Sequence, residues 1–201
     1  MDAIKPGGGD TGKLLNTKKR LALIQTQTDL SERRILDCGC GTGQYVNALL
    51  AAGGNAWGIE FEEVKVAEFK ALNPAEAHRI TVGDIETLAF EDDCFDIVLA
   101  NEVLEHVPND SRGLSEMYRV LKPGGRLFIF SPNRLYPFEI HGVFTRHSER
   151  KVPLYTPFIP YIPISLGNHF FRYWARNYWP WDLRKLINNA GFEIVYTSYV
   201  W

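Results

Sequence analysis

A loop with glycine at three alternate positions constrains the fold of this chain more than any other part of its sequence. The apolar pair Ile35-Leu36 leads into Asp37-Cys38-Gly39-Cys40-Gly41-Thr42-Gly43, and residues 45–52 have helical composition. Glycine has no Cβ and tolerates positive φ, so such a loop lets backbone pass close to a ligand. The ligand then meets N–H groups at a helix N-terminus. The pattern predicts a nucleotide-like cofactor at the first strand of an open α/β sheet.

The spacing of these glycines departs from the fingerprint of dinucleotide-binding proteins. That fingerprint, G-x-G-x-x-G, needs its third glycine so that the helix packs close to the strand and a pyrophosphate can sit on the helix end. Counting from Gly39 and Gly41, the third position is Gln44. A nicotinamide-dependent oxidoreductase therefore remains an alternative, but Gln44 departs from its fingerprint at the most specific position.

Strand and helix patterns alternate along the first 131 residues. After the strand at Ile35-Leu36, strands are predicted at 55–60, 79–82, 95–100 and 126–131, and helices at 13–27, 45–52, 61–72 and 110–121. Residues 95–100 are nearly all apolar, which is typical of a strand buried on both faces of a parallel sheet. The alternation predicts an α/β fold with a Rossmann-like, doubly wound and mostly parallel sheet.

Two acidic residues follow predicted strands at positions suited to an adenosine group. Glu60 ends the second strand 21 positions after Gly39, where Rossmann-like folds place a carboxylate that binds ribose hydroxyls. Asp84 follows the third strand, where it can accept from an adenine amino group, while Ile85 offers a backbone N–H and an apolar face. Asp84 is also compatible with capping a short helix predicted after it.

Taken together and in order, these segments resemble the motif ladder of the class I S-adenosylmethionine-dependent methyltransferases. They are most similar to the branch with the ubiquinone and menaquinone biosynthesis methyltransferases. The matching segments are 36–43, 58–60, 83–85, 95–98, 105–107 and 121–125. The resemblance implies S-adenosylmethionine as cofactor, with its methionine portion near Asp37, its ribose at Glu60 and its amino-acid end at Asn101. The cofactor-binding residues predicted in this way are Asp37, Gly39, Gly41, Gly43, Glu60, Asp84, Ile85 and Asn101.

The implied reaction is an in-line displacement at the sulfonium methyl, for which the protein supplies alignment and electrostatics. A hydroxyl acceptor also needs a base. His106 follows the fourth strand and has an ordinary pKa near neutrality, although it could equally buttress the loop before Pro108. His141 is the second catalytic candidate, and Glu139 and His147 lie in the same stretch.

Residues 132–181 form an insertion with dense prolines and aromatics, which we expect to contain no regular helix or central strand. The insertion is an ordered cover for the core, a lid that makes an apolar acceptor pocket, or a surface that contacts a membrane interface through 136–181. The last two options predict a lipid-like or quinone-like small-molecule acceptor. Nearby cations suited to an anionic group are Arg146, Arg150, Lys151, Arg172 and Arg176.

The cluster Lys18-Lys19-Arg20 has two interpretations. It forms a solvated face of the helix 13–27, or this helix closes over the cofactor and one of the cations approaches its carboxylate, since opposite charges attract more strongly where water is excluded.

Length and composition limit the remaining options. With 201 residues we expect a flexible tail at 1–12 and a single domain at 13–201. A net charge of −2 gives no reason to expect nucleic acid as a partner. Cys38 and Cys40 lack zinc-site spacing, so we predict no metal. No secretory signal or membrane-spanning run is recognisable, which predicts a cytoplasmic location with peripheral membrane contact as an option.

The C-terminal residues leave two questions open. Residues 191–201 are predicted as a sixth strand, whereas the family adds a seventh strand that this chain does not show. An unpaired edge there would invite association, so the oligomeric state is left open.

The Asn/Asp-Pro-Pro-aromatic signature of amino-group methyltransferases is absent, which favours oxygen or carbon as acceptor atom. A non-catalytic S-adenosylmethionine-binding partner protein is the second alternative.

Overall fold

A five-stranded parallel sheet organises the computed structural model, which describes residues 10–136, 142–148, 150–153, 156–162 and 164–199. Its strands are β1 (Arg34–Cys38), β2 (Asn55–Glu60), β3 (Ile80–Val82), β4 (Phe95–Asn101) and β5 (Leu121–Phe130). Their order across the sheet is β3-β2-β1-β4-β5, and every pairing is parallel. The predicted doubly wound, parallel α/β sheet is confirmed.

Six α-helices accompany the strands in the described part of the chain. They are α1 (Asp10–Gln27), α2 (Gln44–Ala51), α3 (Glu63–Leu72), α4 (Asp110–Val120), α5 (Ile164–Phe170) and α6 (Pro180–Asn189). Helix α1 begins three residues before the predicted start at Lys13. Helix α4 begins where the Asn109 side chain accepts a 3.0 Å hydrogen bond from the Arg112 N–H, and α6 begins at Pro180, whose missing N–H costs nothing there.

The chain reverses its direction across the sheet between β1 and β4. Leu36 in β1 is paired with Trp57 of β2 on one side and with Val98 of β4 on the other. In open α/β sheets, ligands bind outside the carboxyl ends of the strands at such a reversal. We therefore expect a ligand site at the residues that follow β1, β2, β3 and β4.

Alternate residues of the central strands supply two separate apolar cores. Ile97 and Leu99 of β4 pack on one face of the sheet in a cluster with Phe69 of α3. Val98 of β4 packs on the other face in a cluster with Met117 of α4. Burial of a large aliphatic or aromatic side chain stabilises a fold by about 1.5–3 kcal/mol, so β1 and β4 are held rigidly and position the loops that follow them.

The prediction of a sixth strand at 191–201 is wrong for the residues that the structure describes. Residues 192–199 are not part of any strand, and β5 pairs only with β4 among the described residues. Both β5 and this segment line a cavity of about 1500 Å³, and no strand pairing joins them among the described residues. The segment is held instead by the Arg184 side chain, which donates a 2.9 Å hydrogen bond to Thr197 Oγ1, and by Phe192 packing edge-on against Tyr118.

The insertion contains more regular structure than its prolines predict. Strands β6 (Val143–Thr145) and β7 (Phe171–Tyr173) form an antiparallel ribbon, and a 3₁₀ helix covers Ile159–Tyr161. Helix α5 contradicts the expectation that this region forms no regular helix. Helix α5 can form because the sequence has no proline between 164 and 179 to interrupt it.

Candidate functional site

The glycine loop between β1 and α2 is shaped by positive φ angles at Gly39, Gly41 and Gly43, which are +72°, +56° and +76°. A Cβ on Gly39 would lie 2.5 Å from the Val103 side chain, and a Cβ on Gly43 would overlap the Phe69 ring. Both positions therefore need glycine for conformation and for space. A Cβ on Gly41 would meet nothing within 4 Å, so the loop is open to a ligand at this residue.

Glu60 closes the other side of this loop. Its carboxylate accepts hydrogen bonds from the N–H groups of Gly41 at 2.8 Å and Glu62 at 3.0 Å, and Lys65 Nζ lies 3.8 Å away. The residue is only 7% exposed at the end of β2. The predicted ribose-binding carboxylate is thus fixed beside the predicted cofactor loop, with its negative charge partly balanced by backbone donors and a lysine.

Asp37 is a buried carboxyl at the base of the same loop. The residue is 1% exposed, and its Oδ2 atom has no hydrogen-bond partner among the residues that the structure describes. Burial raises the pKa of Asp37 well above its usual value, and the neighbouring Glu60 charge raises it further. A buried acceptor of this kind is suited to a ligand that brings its own donor or positive charge.

Asp84 and Ile85 follow β3, next to Glu60. The Glu60 carbonyl accepts a 2.9 Å bond from the Gly83 N–H, which brings the ends of β2 and β3 together. Asp84 Oδ1 accepts a 2.9 Å bond from the Glu86 N–H, so this side chain caps a turn where a short helix was predicted. Ile85 is 5% exposed and packs in the core cluster shared with α4.

Asn101 ends β4 and contacts a residue from the N-terminal helix. Arg20 of α1 donates 2.5 Å hydrogen bonds to Asn101 Oδ1 and to Glu102 Oε1, and its guanidinium lies 5.1 Å from the centre of the Phe130 ring. Burial raises the pKa of Tyr45 in α2, whereas the charge of the neighbouring Arg20 acts in the opposite direction. Of the cluster Lys18-Lys19-Arg20, the arginine is the member that reaches the site, while both lysines are exposed.

The insertion is fastened to the loop after β4 by two residues that the sequence analysis did not single out as anchors. The Arg176 guanidinium bonds to Asp110 at 2.7 Å and to the Val107 carbonyl at 2.9 Å. The Tyr178 hydroxyl bonds to the Leu104 carbonyl at 3.0 Å and to Asp110 at 2.9 Å. Burial foremost, and then the Asp110 charge, raises the pKa of Tyr178.

A cavity of about 600 Å³ lies between the loop after β4 and the insertion. His106 is exposed and lines this cavity, together with side chains from β6 and β7. His147 is exposed in the turn after β6 and does not line the cavity. Glu139 and His141 lie outside the described residues. Of the catalytic candidates that the structure describes, His106 is therefore the one that lines this cavity.

Aromatic rings form a stacked row on the outer side of the insertion. The Tyr161 and Trp179 rings stack with centroids 5.9 Å apart, and Trp179 stacks on Trp181 at 4.8 Å. The Arg134 guanidinium lies over Trp179, 5.0 Å from its centroid. Trp181 is 58% exposed and Phe158 is 63% exposed, so the row continues into an exposed apolar surface. No helix in the described ranges combines the length and hydropathy that membrane crossing needs.

Comparison with known proteins is consistent with these features. A family model described as a methyltransferase domain matches residues 36–129. The chain is 35% identical over 128 residues to the ubiquinone biosynthesis O-methyltransferase of Coxiella burnetii, a match that covers 62% of the chain and 54% of that enzyme. It is 30% identical over 179 residues to the protein of the same name from Xanthomonas euvesicatoria pv. vesicatoria, covering 87% of the chain and 69% of that enzyme.

The chain thus spans about half the length of the Coxiella relative. Among solved structures, an S-adenosylmethionine-dependent methyltransferase from Mesorhizobium loti superposes with a TM-score of 0.65 at 19% identity. That superposition covers 91% of this chain and 84% of the other. At this identity the likeness shows the fold alone.

Proposed function

This chain belongs to the class I S-adenosylmethionine-dependent methyltransferase family, and we propose that it transfers a methyl group from that cofactor to a small apolar or lipid-like acceptor. The observation that carries the proposal is the cradle at the sheet reversal, where Glu60 and the open face of Gly41 lie together above a buried Asp37 carboxyl. When bound, the cofactor supplies an electrophilic methyl group on a sulfonium. The protein contributes binding and alignment.

In this proposal each residue around the glycine loop binds a different part of the cofactor. Glu60 accepts hydrogen bonds from the ribose hydroxyls, and the Asp84 and Ile85 pair after β3 binds the adenine ring. Asp37 faces the ammonium group of the methionine portion. The orphaned Oδ2 atom supports this role, because a cationic donor would satisfy it and stabilise its charge.

Arg20 binds the carboxylate of the methionine portion. The guanidinium is held at the end of β4 by Asn101, next to the buried ring of Tyr45. Its side chain is only 16% exposed, so its charge is less screened than that of a surface arginine. With Asp37 for the ammonium and Arg20 for the carboxylate, the amino-acid end of the cofactor is recognised at both charges.

The acceptor enters between the loop after β4 and the insertion. The cavity lined by His106 is of the size used for small molecules, and the aromatic row beside it offers an apolar approach. The names of the Coxiella and Xanthomonas relatives support an oxygen acceptor. His106 then takes the hydroxyl proton, a role to which histidine side chains are suited.

The first experiment is a calorimetric titration with S-adenosylhomocysteine and, separately, with NAD. Wild type and Glu60→Ala are compared. We expect S-adenosylhomocysteine to bind the wild type, to bind Glu60→Ala far more weakly, and NAD to bind neither. Binding of NAD without binding of S-adenosylhomocysteine would contradict the proposal and favour the oxidoreductase alternative.

The second experiment tests turnover. Labelled S-adenosylmethionine is incubated with the protein and with the aqueous and lipid fractions of a cell extract. We expect label in the lipid fraction and its loss in His106→Ala. Cofactor binding without label in any fraction would support the non-catalytic alternative.

The exposed aromatic surface supports peripheral contact with a membrane, because Trp and Tyr prefer the membrane interface. Co-sedimentation with phosphatidylcholine vesicles, with and without phosphatidylglycerol, tests this contact. We expect Trp181→Ser to reduce sedimentation. The control is Leu72→Ser, which removes another exposed apolar side chain, 71% exposed at the end of α3. Equal sedimentation of both variants and wild type would rule out the aromatic row as the contact.

A further inference from the structure

The end of β4 holds a carboxylate that the proposed reaction does not use. Glu102 follows Asn101, and its Oε1 atom accepts a 2.5 Å bond from Arg20 NH2. The Glu102 side chain is 43% exposed, whereas that of Arg20 is 16% exposed. An acid from the loop after β4 therefore reaches inward to a mostly buried cation of α1.

The backbone of Glu102 is specialised for this contact. Its φ is +52°, in the left-handed region that residues with a Cβ rarely adopt. The Glu102 N–H donates a 2.8 Å bond to the Phe130 carbonyl at the end of β5. Phe130 also lies under the Arg20 guanidinium. Phe130 thus contacts both members of the ion pair. Its carbonyl accepts from the Glu102 N–H, and its ring lies under the Arg20 guanidinium.

The geometry of the guanidinium decides what else it can bind. Arg20 uses NH1 for the Asn101 amide oxygen and NH2 for Glu102. A carboxylate binds most strongly to the paired nitrogens of one edge of a guanidinium. Asn101 and Glu102 each engage one of the two terminal nitrogens, so a second carboxylate that binds this edge competes with Glu102.

We infer that Glu102 is a positioning residue that holds Arg20 at the cofactor site by acting as an internal carboxylate, which the cofactor carboxylate replaces on binding. The inference rests on the proposed role of Arg20 in cofactor binding. In the free protein the ion pair keeps the arginine folded against Phe130. On binding, Glu102 competes with the ligand, so it lowers affinity for ligands that carry the carboxylate and leaves other ligands unaffected.

Comparing the affinities of two ligands distinguishes competition by Glu102 from a general effect of the substitution on the site. S-adenosylhomocysteine carries the amino-acid carboxylate, whereas 5′-methylthioadenosine retains the adenosine and lacks the amino acid. Glu102→Gln keeps the shape and an acceptor oxygen but removes the charge. We expect it to tighten S-adenosylhomocysteine binding by about two- to fivefold, the range for a part-exposed ion pair, and to leave 5′-methylthioadenosine binding unchanged.

A double-mutant cycle and a matched control complete the experiment. In an Arg20→Gln background, Glu102→Gln should no longer change S-adenosylhomocysteine affinity, because the competition acts through Arg20. Glu32→Gln is the control, since Glu32 is an exposed acid with a φ of +60° in the loop after α1. It should bind both ligands as wild type does.

The outcomes distinguish this inference from the proposed function. Weaker S-adenosylhomocysteine binding by Glu102→Gln, or an equal change for both ligands, would overturn the competition. A tightening that persists without Arg20 would also overturn it. If the wild type bound neither ligand, the proposed cofactor site would fail, and the inference with it.

Discussion

The Glu60 carboxylate accepts a 2.8 Å hydrogen bond from the backbone N–H of Gly41, joining the end of β2 to the glycine loop across the sheet. The bond fixes the spacing between the loop and the acid before any ligand arrives. Such pre-organisation reduces the free energy that binding would otherwise spend on ordering the site. It also means that a change at Glu60 alters both the proposed ribose contact and the loop.

Glu60→Gln keeps the size of the side chain but removes its charge. Charge-assisted hydrogen bonds contribute about 1.5–3 kcal/mol, so the dissociation constant for S-adenosylhomocysteine should rise about ten- to hundredfold. Calorimetry measures the change, with Glu68→Gln, an exposed acid of α3, as control. Equal affinities for the two variants would contradict a ribose contact at Glu60.

Gly43→Ala should lower the free energy of unfolding more than Gly41→Ala does. Gly43→Ala adds a strained φ and an overlap with Phe69, and should lower the free energy of unfolding by about 2–5 kcal/mol. Gly41→Ala meets no atom within 4 Å and should lower it by only about 1–2 kcal/mol. Urea denaturation provides the comparison. Similar losses would show that conformation alone requires both glycines.

Asp37→Asn should stabilise the ligand-free protein in a pH-dependent way. The folded-state pKa of Asp37 is raised above its usual value of 3.8, by burial first and by Glu60 second. The folded state therefore holds this proton more tightly, and wild type loses stability as pH rises from about 4 towards the folded pKa. Asparagine does not titrate, so its advantage in Tm should grow over the same window. A Tm difference that stays constant with pH would contradict this.

Tyr178→Phe should loosen the insertion from the loop after β4. The change removes hydrogen bonds to the Leu104 carbonyl and to Asp110, at a cost of about 1–3 kcal/mol in the free energy of unfolding. Hydrogen exchange should increase in 171–178. Tyr196→Phe, which removes a hydroxyl from a 48% exposed ring, serves as the control. Unchanged exchange in Tyr178→Phe would contradict a role for the Tyr178 hydroxyl in anchoring the insertion.

The three cysteines should differ in their reactivity towards iodoacetamide. Burial raises the pKa of the Cys38 and Cys40 thiols, and it raises that of the partly exposed Cys94 as well. Because the thiolate is the nucleophile, native protein should be labelled slowly, and at Cys94 first. Mass spectrometry before and after urea denaturation identifies the sites. Rapid native labelling of Cys40 would mean that the glycine loop opens.

Local patterns in the sequence were sufficient for the sheet and for placing the glycine loop beside Glu60. The glycine loop and Glu60 are recognisable because their spacing follows from the strand, loop and helix geometry between them. Arg20 lies 81 residues from Asn101, and Tyr178 lies 74 from Leu104, so no local pattern connects either pair. The segment 192–199 has a strand-like composition, but pairing needs a partner strand, and composition does not report whether one is present.

The edge of β5 that faces away from β4 has a practical consequence. Among the residues that the structure describes, this edge has no neighbouring strand. Its row of backbone donors and acceptors is a template on which another polypeptide can extend the sheet. The risk is greatest while chains are still collapsing, when many such edges meet in solution. Refolding yield should therefore fall steeply as the chain concentration rises, and dilution should recover native protein.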